Sequence, residues 1–141
     1  MRKAYLVSLA VGLIVVKFLL LIAWAEFRPF PFPTLYAERY VSVYTNRFRE
    51  LEGETYVVRF VDLINSAEIR RQTLIESERM PTPGQSPDEM IIFIREDGHR
   101  TMLLLRGDVI DYRTRYLIVD PDAFYAELER LFQEIRDERR D

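Results

Sequence analysis

Between Ala4 and Ala25 the chain runs for 22 residues with no acid and one charge, Lys17. A helix of that length rises about 33 Å, enough to cross a hydrocarbon core of about 30 Å. The run is apolar all round, so it fits the buried helix of a soluble protein poorly. Tyr5 and Trp24 stand near its two ends, where aromatic rings prefer the membrane interface. Arg2, Lys3 and the α-amino group precede it, and Glu26-Phe27-Arg28 follows with a weaker positive flank. The positive-inside rule therefore predicts a cytoplasmic N-terminus and an extracytoplasmic remainder.

Two features bear on whether such a segment stays in the membrane. Lys17 lies inside the span and costs about 1–3 kcal/mol of insertion free energy, less where its stem snorkels outward. It reads either as a tolerated snorkelling side chain or as a contact with an acidic partner helix. Ala23-Trp24-Ala25 has the Ala-x-Ala form of a signal-peptidase site. The apolar run is longer than a usual signal core, which favours a retained single-pass anchor, with secretion as the outcome if the chain is cleaved after Ala25. Either way the lipid bilayer, met through residues 4–25, is the first expected partner.

Arg2, Lys3 and Lys17 are the only basic residues before Glu26. From Glu26 onward lie seventeen Arg, no Lys and all 23 acids, a net charge of −6. An acidic domain is a poor match for nucleic acid, so no nucleic-acid partner is expected. Scattered Arg without Lys reads first as composition or heat adaptation, and second as anion recognition. The chain has no Cys. Disulfides, thiolate metal sites, thiol catalysis and a lipobox anchor are thereby excluded.

Residues 26–35 form a Pro/Phe-rich spacer. Pro29, Pro31 and Pro33 impose extended geometry, and Phe27, Phe30 and Phe32 can enter the interface or dock on a domain. The domain is expected over 36–141. Tyr40–Tyr44 reads as a strand and Asn46–Glu54 as a charged stretch. Val57, Phe60, Val61 and Ile64 mark one face of a helix over 54–67. Thr73–Ile75 is a second strand, and Met80–Pro87 a loop. Met90–Ile94 and Thr101–Leu105 flank Asp97-Gly98, a hairpin signal. Val109–Tyr112 and Tyr116–Val119 extend the meander past Gly107-Asp108. Asp120-Pro121-Asp122 opens a last helix, whose stripe is Phe124, Leu128, Leu131, Phe132 and Ile135. The fold class is α+β: an N-terminal transmembrane helix, then a two-layer domain of a 4–5-stranded antiparallel sheet with two helices on one face.

Candidate chemistry is sparse. His99, the only His, adjoins a tight turn and reads as solvated. No Ser has nucleophile-elbow context, and the glycines are too dispersed to cradle phosphate. Asp108 with Asp111, or Glu76 with Glu78, would serve as paired carboxylates only if the fold converged them. Asp120-Pro121-Asp122 lacks the further oxygen ligands of a calcium loop. No catalytic, metal or cofactor residue is assigned, and no cofactor is expected. The segment Tyr112-Arg113-Thr114-Arg115-Tyr116 carries the best candidate interaction patch: Tyr112, Arg113, Arg115 and Tyr116. The membrane segment contributes Lys17 and Trp24.

Helix residues Phe60–Ala67, the hairpin Ile91–Ile94 with Asp97-Gly98, a Tyr-containing strand and a closing amphipathic helix follow in order. This pattern resembles small exported domains of single-pass proteins and lipoproteins of Gram-positive bacteria, mostly of unknown function. It covers about 80 residues, has no diagnostic motif, and carries over no functional residue. The expected function is a non-enzymatic interaction or sensing domain, with an unidentified protein as its partner. The alternatives are a module binding a small ligand or wall polymer, and a carboxylate-dependent hydrolase.

Overall fold

The computed structural model describes residues 1–27, 30–72 and 88–141. It is α+β, with one long apolar helix, an antiparallel sheet and two further helices. Helix α1 spans Arg2–Phe27. Its stretch Arg2–Trp24 is long and apolar enough to cross a membrane, and none of its most apolar window is buried in the fold.

The domain begins with a single 3₁₀ turn, Ala37–Arg39. Strands β1 (Ser42–Thr45) and β2 (Glu50–Glu52), helix α2 (Glu54–Ser66) and strand β3 (Ile69–Arg71) follow. A meander of β4 (Glu89–Ile94), β5 (Arg100–Arg106), β6 (Val109–Tyr112) and β7 (Thr114–Ile118) leads into helix α3 (Pro121–Glu138). The strand order is β2-β1-β4-β5-β6-β7-β3, with every pair antiparallel. The β2–α2–β3 connection therefore carries the chain from one edge of the sheet to the other.

The sheet has seven strands among the described residues, where the sequence predicts four or five. Two of the strands not foreseen, β2 and β3, are its edges. Glu50-Leu51-Glu52 lies inside the stretch read as merely charged, and only Leu51 turns inward. Ile69-Arg70-Arg71 likewise has one buried apolar residue. Short, charged edges of this kind resist pairing with other chains and leave almost no periodicity to read. The predicted strand Thr73–Ile75, the loop Met80–Pro87 and the Glu76/Glu78 pair lie outside the described residues.

Register places the inward side chains on one face. Leu51, Val43 and Phe93 form one cross-strand row, Ile91 and Leu103 another, and Leu105, Ile110 and Tyr116 a third. The stripes of α2 and α3 join this core, and Phe60 and Phe132 meet across it with ring centroids 6.0 Å apart. Each fully buried Phe contributes roughly 1.5–3 kcal/mol relative to exposure. Helix α3 starts where Asp120 Oδ1 accepts a hydrogen bond from the Ala123 N–H (3.1 Å), with Pro121 in the first turn. At its other end Glu138 meets Arg59 of α2 at 2.8 Å.

Candidate functional site

The segment following α1 is bound to the sheet. The Phe32 N–H donates to the Ile69 carbonyl (2.9 Å), and the Arg71 N–H donates to the Phe30 carbonyl (2.7 Å). Pro31 lies opposite Arg70 in antiparallel register. Further on, Asn65 of α2 holds Leu35 at both backbone groups. Its Oδ1 accepts from the Leu35 N–H (2.9 Å), and its Nδ2 donates to the Leu35 carbonyl (2.8 Å). Residues 30–35 thus form a margin of the domain at its β3 edge.

This margin meets the candidate patch. Cross-strand pairing of Tyr112 with Thr114, and of Ile110 with Tyr116, puts Tyr112 and Tyr116 on the helix-bearing face. The Phe32 ring packs against both, at centroid distances of 5.5 and 4.9 Å. Arg113 forms the turn between β6 and β7 with φ 56°, a left-handed conformation that Gly or Asn adopts at lower cost. Its guanidinium lies 5.5 Å from the Tyr112 ring centre. Arg115 belongs to the other face, where its Nε donates to Asp111 Oδ1 at 3.0 Å. Arg106 approaches the same carboxylate at 3.8 Å.

The structure therefore brings Tyr112, Arg113 and Tyr116 together and separates Arg115 from them by the pleat. Phe32 and Phe30 are the members of this edge that the patch assignment left out. Their signal was the Phe-x-Phe spacing, whose docking alternative is realised at Phe32. Lys17 and Trp24 stand on α1, and His99 lies exposed beside its turn.

A second polar cluster closes the opposite end of the sheet. Arg47 donates through Nε to Glu89 Oε1 (2.7 Å) and through Nη1 to Glu129 Oε2 (2.6 Å). Its guanidinium carbon sits 4.7 Å from the centre of the Phe132 ring. Burial works against the Arg47 charge, but the hydrogen bonds that it donates to Glu129 and Glu89 outweigh it and raise the pKa. Nearby, the Tyr125 hydroxyl donates to the Gly107 carbonyl, and burial with Asp88, Glu89 and Asp108 pushes its pKa up to about 12. These contacts fasten β4, the β5–β6 turn and α3 to one another. Of the Asp108/Asp111 pair, Asp111 is held in the ion pairs with Arg115 and Arg106.

On the face opposite the helices, Tyr44, Ile92 and Met102 form an apolar row across β1, β4 and β5. Met102 is 42% exposed. Ile92 at the centre of the row is 6% exposed, and Tyr44 is half-buried. Towards the β3 edge of the sheet a depression of about 190 Å³ is lined by Arg70, Asp108, Val109 and Leu117. No group of three potential metal-ligating side chains gathers among the described residues. Comparison with family models, curated proteins and solved structures gives no match for this chain.

Proposed function

We propose that the chain is a single-pass membrane protein with a cytoplasmic N-terminus, whose α+β domain works outside the cytoplasm by contact with another protein. The carrying observation is α1: Arg2–Trp24 offers the length and composition of a span, and its most apolar window takes no part in the core. Arg2 and Lys3 support the orientation. Contact as the mode of action draws on Met102, which is 42% exposed on the face opposite the helices beside the half-buried Tyr44 and the buried Ile92. The described polar clusters join one element to another, which favours a scaffold over a catalytic centre. The depression near Arg70 is smaller than the roughly 300–1,000 Å³ of ordinary ligand pockets, which weighs against the small-ligand reading.

Alkaline carbonate extraction of membranes, with protease treatment of intact cells bearing a C-terminal tag, tests the anchoring. The chain is expected in the pellet with its tag digested from outside. Release by carbonate, or a protected tag, would overturn the anchoring or the orientation. A photo-crosslinking side chain at Met102 tests the contact. One discrete protein adduct in native membranes is expected, and its absence from a correctly inserted chain would refute the interaction reading.

A further inference from the structure

We infer that the β3 edge of the domain, with the tip of the β6–β7 hairpin, rests on phospholipid headgroups of the leaflet from which the chain emerges. The inference depends on α1 spanning the membrane. Given that, the chain allows little separation. Only Arg28 and Pro29 lie between Phe27, the last residue of α1, and Phe30, which is already hydrogen-bonded to β3. Three Cα–Cα steps cover at most about 11 Å. The three helical residues beyond Trp24 add about 4.5 Å. Phe30 therefore lies no more than about 16 Å from the level of Trp24, and the headgroup layer takes up roughly 5–8 Å of that. An Arg side chain can reach across much of the rest.

The direction of pairing decides which end of the edge is nearest the membrane. Phe30 pairs with Arg71, and Arg71 is opposite Tyr116. The chain thus enters the domain beside Tyr116, at the end of β7 adjoining the Arg113 turn. That end carries Phe30, which is 41% exposed, with Tyr112 and the exposed Arg71 and Arg113. Aromatic rings suit the interface, and Arg forks hydrogen-bond phosphate oxygens in pairs. Arg113 also occupies a left-handed position where Gly would be unstrained, and its guanidinium lies beside Tyr112 at this end. The β4–β5 turn points to the same end, but Arg95 and Arg100 there are balanced by Glu96 and Asp97. Among the described residues, the hairpin tip and Arg71 thus bring positive charge to this end, within a domain of net charge −6.

The chain has no Cys, so Thr114→Cys and Asp108→Cys each give one labelling site, at the hairpin tip and at the opposite end of the sheet. The full-length chain is reconstituted in phosphatidylcholine vesicles containing phosphatidylglycerol, with an environment-sensitive fluorophore on the Cys and headgroup-nitroxide lipid as quencher. Quenching several-fold stronger at position 114 than at 108 is expected. Introducing Arg71→Gln and Arg113→Gly should reduce it towards the level at 108, while thermal unfolding confirms that the variant is folded. Equal, weak quenching at both positions in a chain that resists carbonate extraction overturns the headgroup contact and leaves the anchor standing. Strong quenching at 114 that survives both Arg substitutions overturns the assignment of the contact to arginine and phosphate. Extraction of the chain by carbonate would instead remove the span on which the inference rests.

Discussion

Arg47 offers the sharpest test of what holds the domain together. Its carboxylate partner Glu89 is 7% exposed at the side chain, and Glu89 Oε2 is buried without a hydrogen bond. Arg47→Met keeps an aliphatic stem near Phe132 but withdraws the donors that meet Glu89 Oε1. Breaking a fully buried pair costs about 3–5 kcal/mol, because the remaining charge has no compensation. Arg47 is itself 37% exposed, so water can reach part of the vacated volume, and a loss of about 2–3 kcal/mol is expected. Glu129, 55% exposed, is the outer partner, and Glu129→Gln should cost under about 1 kcal/mol. Adding Glu89→Gln to Arg47→Met replaces the stranded charge by an amide and should restore much of the loss. Urea unfolding of the full chain in detergent, followed by near-ultraviolet circular dichroism, gives the four stabilities. If the double variant is no more stable than Arg47→Met alone, the cost lies in packing against Phe132 and the electrostatic account fails.

Asp120→Ala removes the side-chain cap of α3 and should lower stability by about 1 kcal/mol; an unchanged urea midpoint would show that the cap is redundant. The pKa of Tyr125 is raised from 10.0 to about 12, so unfolded chains lose this proton before folded ones do. Its contribution to stability is full below pH 10 and is lost as pH rises towards 12. Tyr125→Phe should flatten the stability profile in that window relative to the parent, and parallel profiles would contradict the assignment. Asn65→Ala deletes both bonds to Leu35 and should cost about 1–2 kcal/mol, with faster amide exchange at Leu35; unchanged exchange there would mean that Asn65 does not fasten the segment.

The elements read correctly from sequence are those whose own residues carry a full period. Helix α2 repeats its stripe at i, i+3, i+4 and i+7, and all four of those residues are buried. Helix α3 adds a stop-start signal, Asp120-Pro121-Asp122, to five stripe residues that are likewise all buried. The hairpin at Asp97-Gly98 has strands of six and seven residues and a Gly at φ 84°, where the turn needs a left-handed residue. Strands β2 and β3 have three residues and one inward side chain each. Nothing local distinguishes them from loop, because their pairing is set by α2 carrying the chain across the sheet.

The four residues of the candidate patch come together only in part, for a related reason. Tyr112, Arg113, Arg115 and Tyr116 are contiguous in sequence, yet the one-residue turn at Arg113 makes Tyr112 and Tyr116 neighbours and sends Arg115 to the other face. Phe32, which packs on both Tyr rings, is 80 residues from Tyr112, beyond any local pattern. The alternating prolines then take on a meaning beyond stiffness. Phe30 and Phe32 make the hydrogen bonds to β3, so the backbone of Pro31 faces away from the sheet. A residue there would ordinarily present an N–H to any further strand, and proline has none. A segment read as a spacer therefore acts as the guarded margin of the sheet. It covers the β3 edge, withholds a donor from strand addition, and ties the domain to the end of α1 with two residues between them.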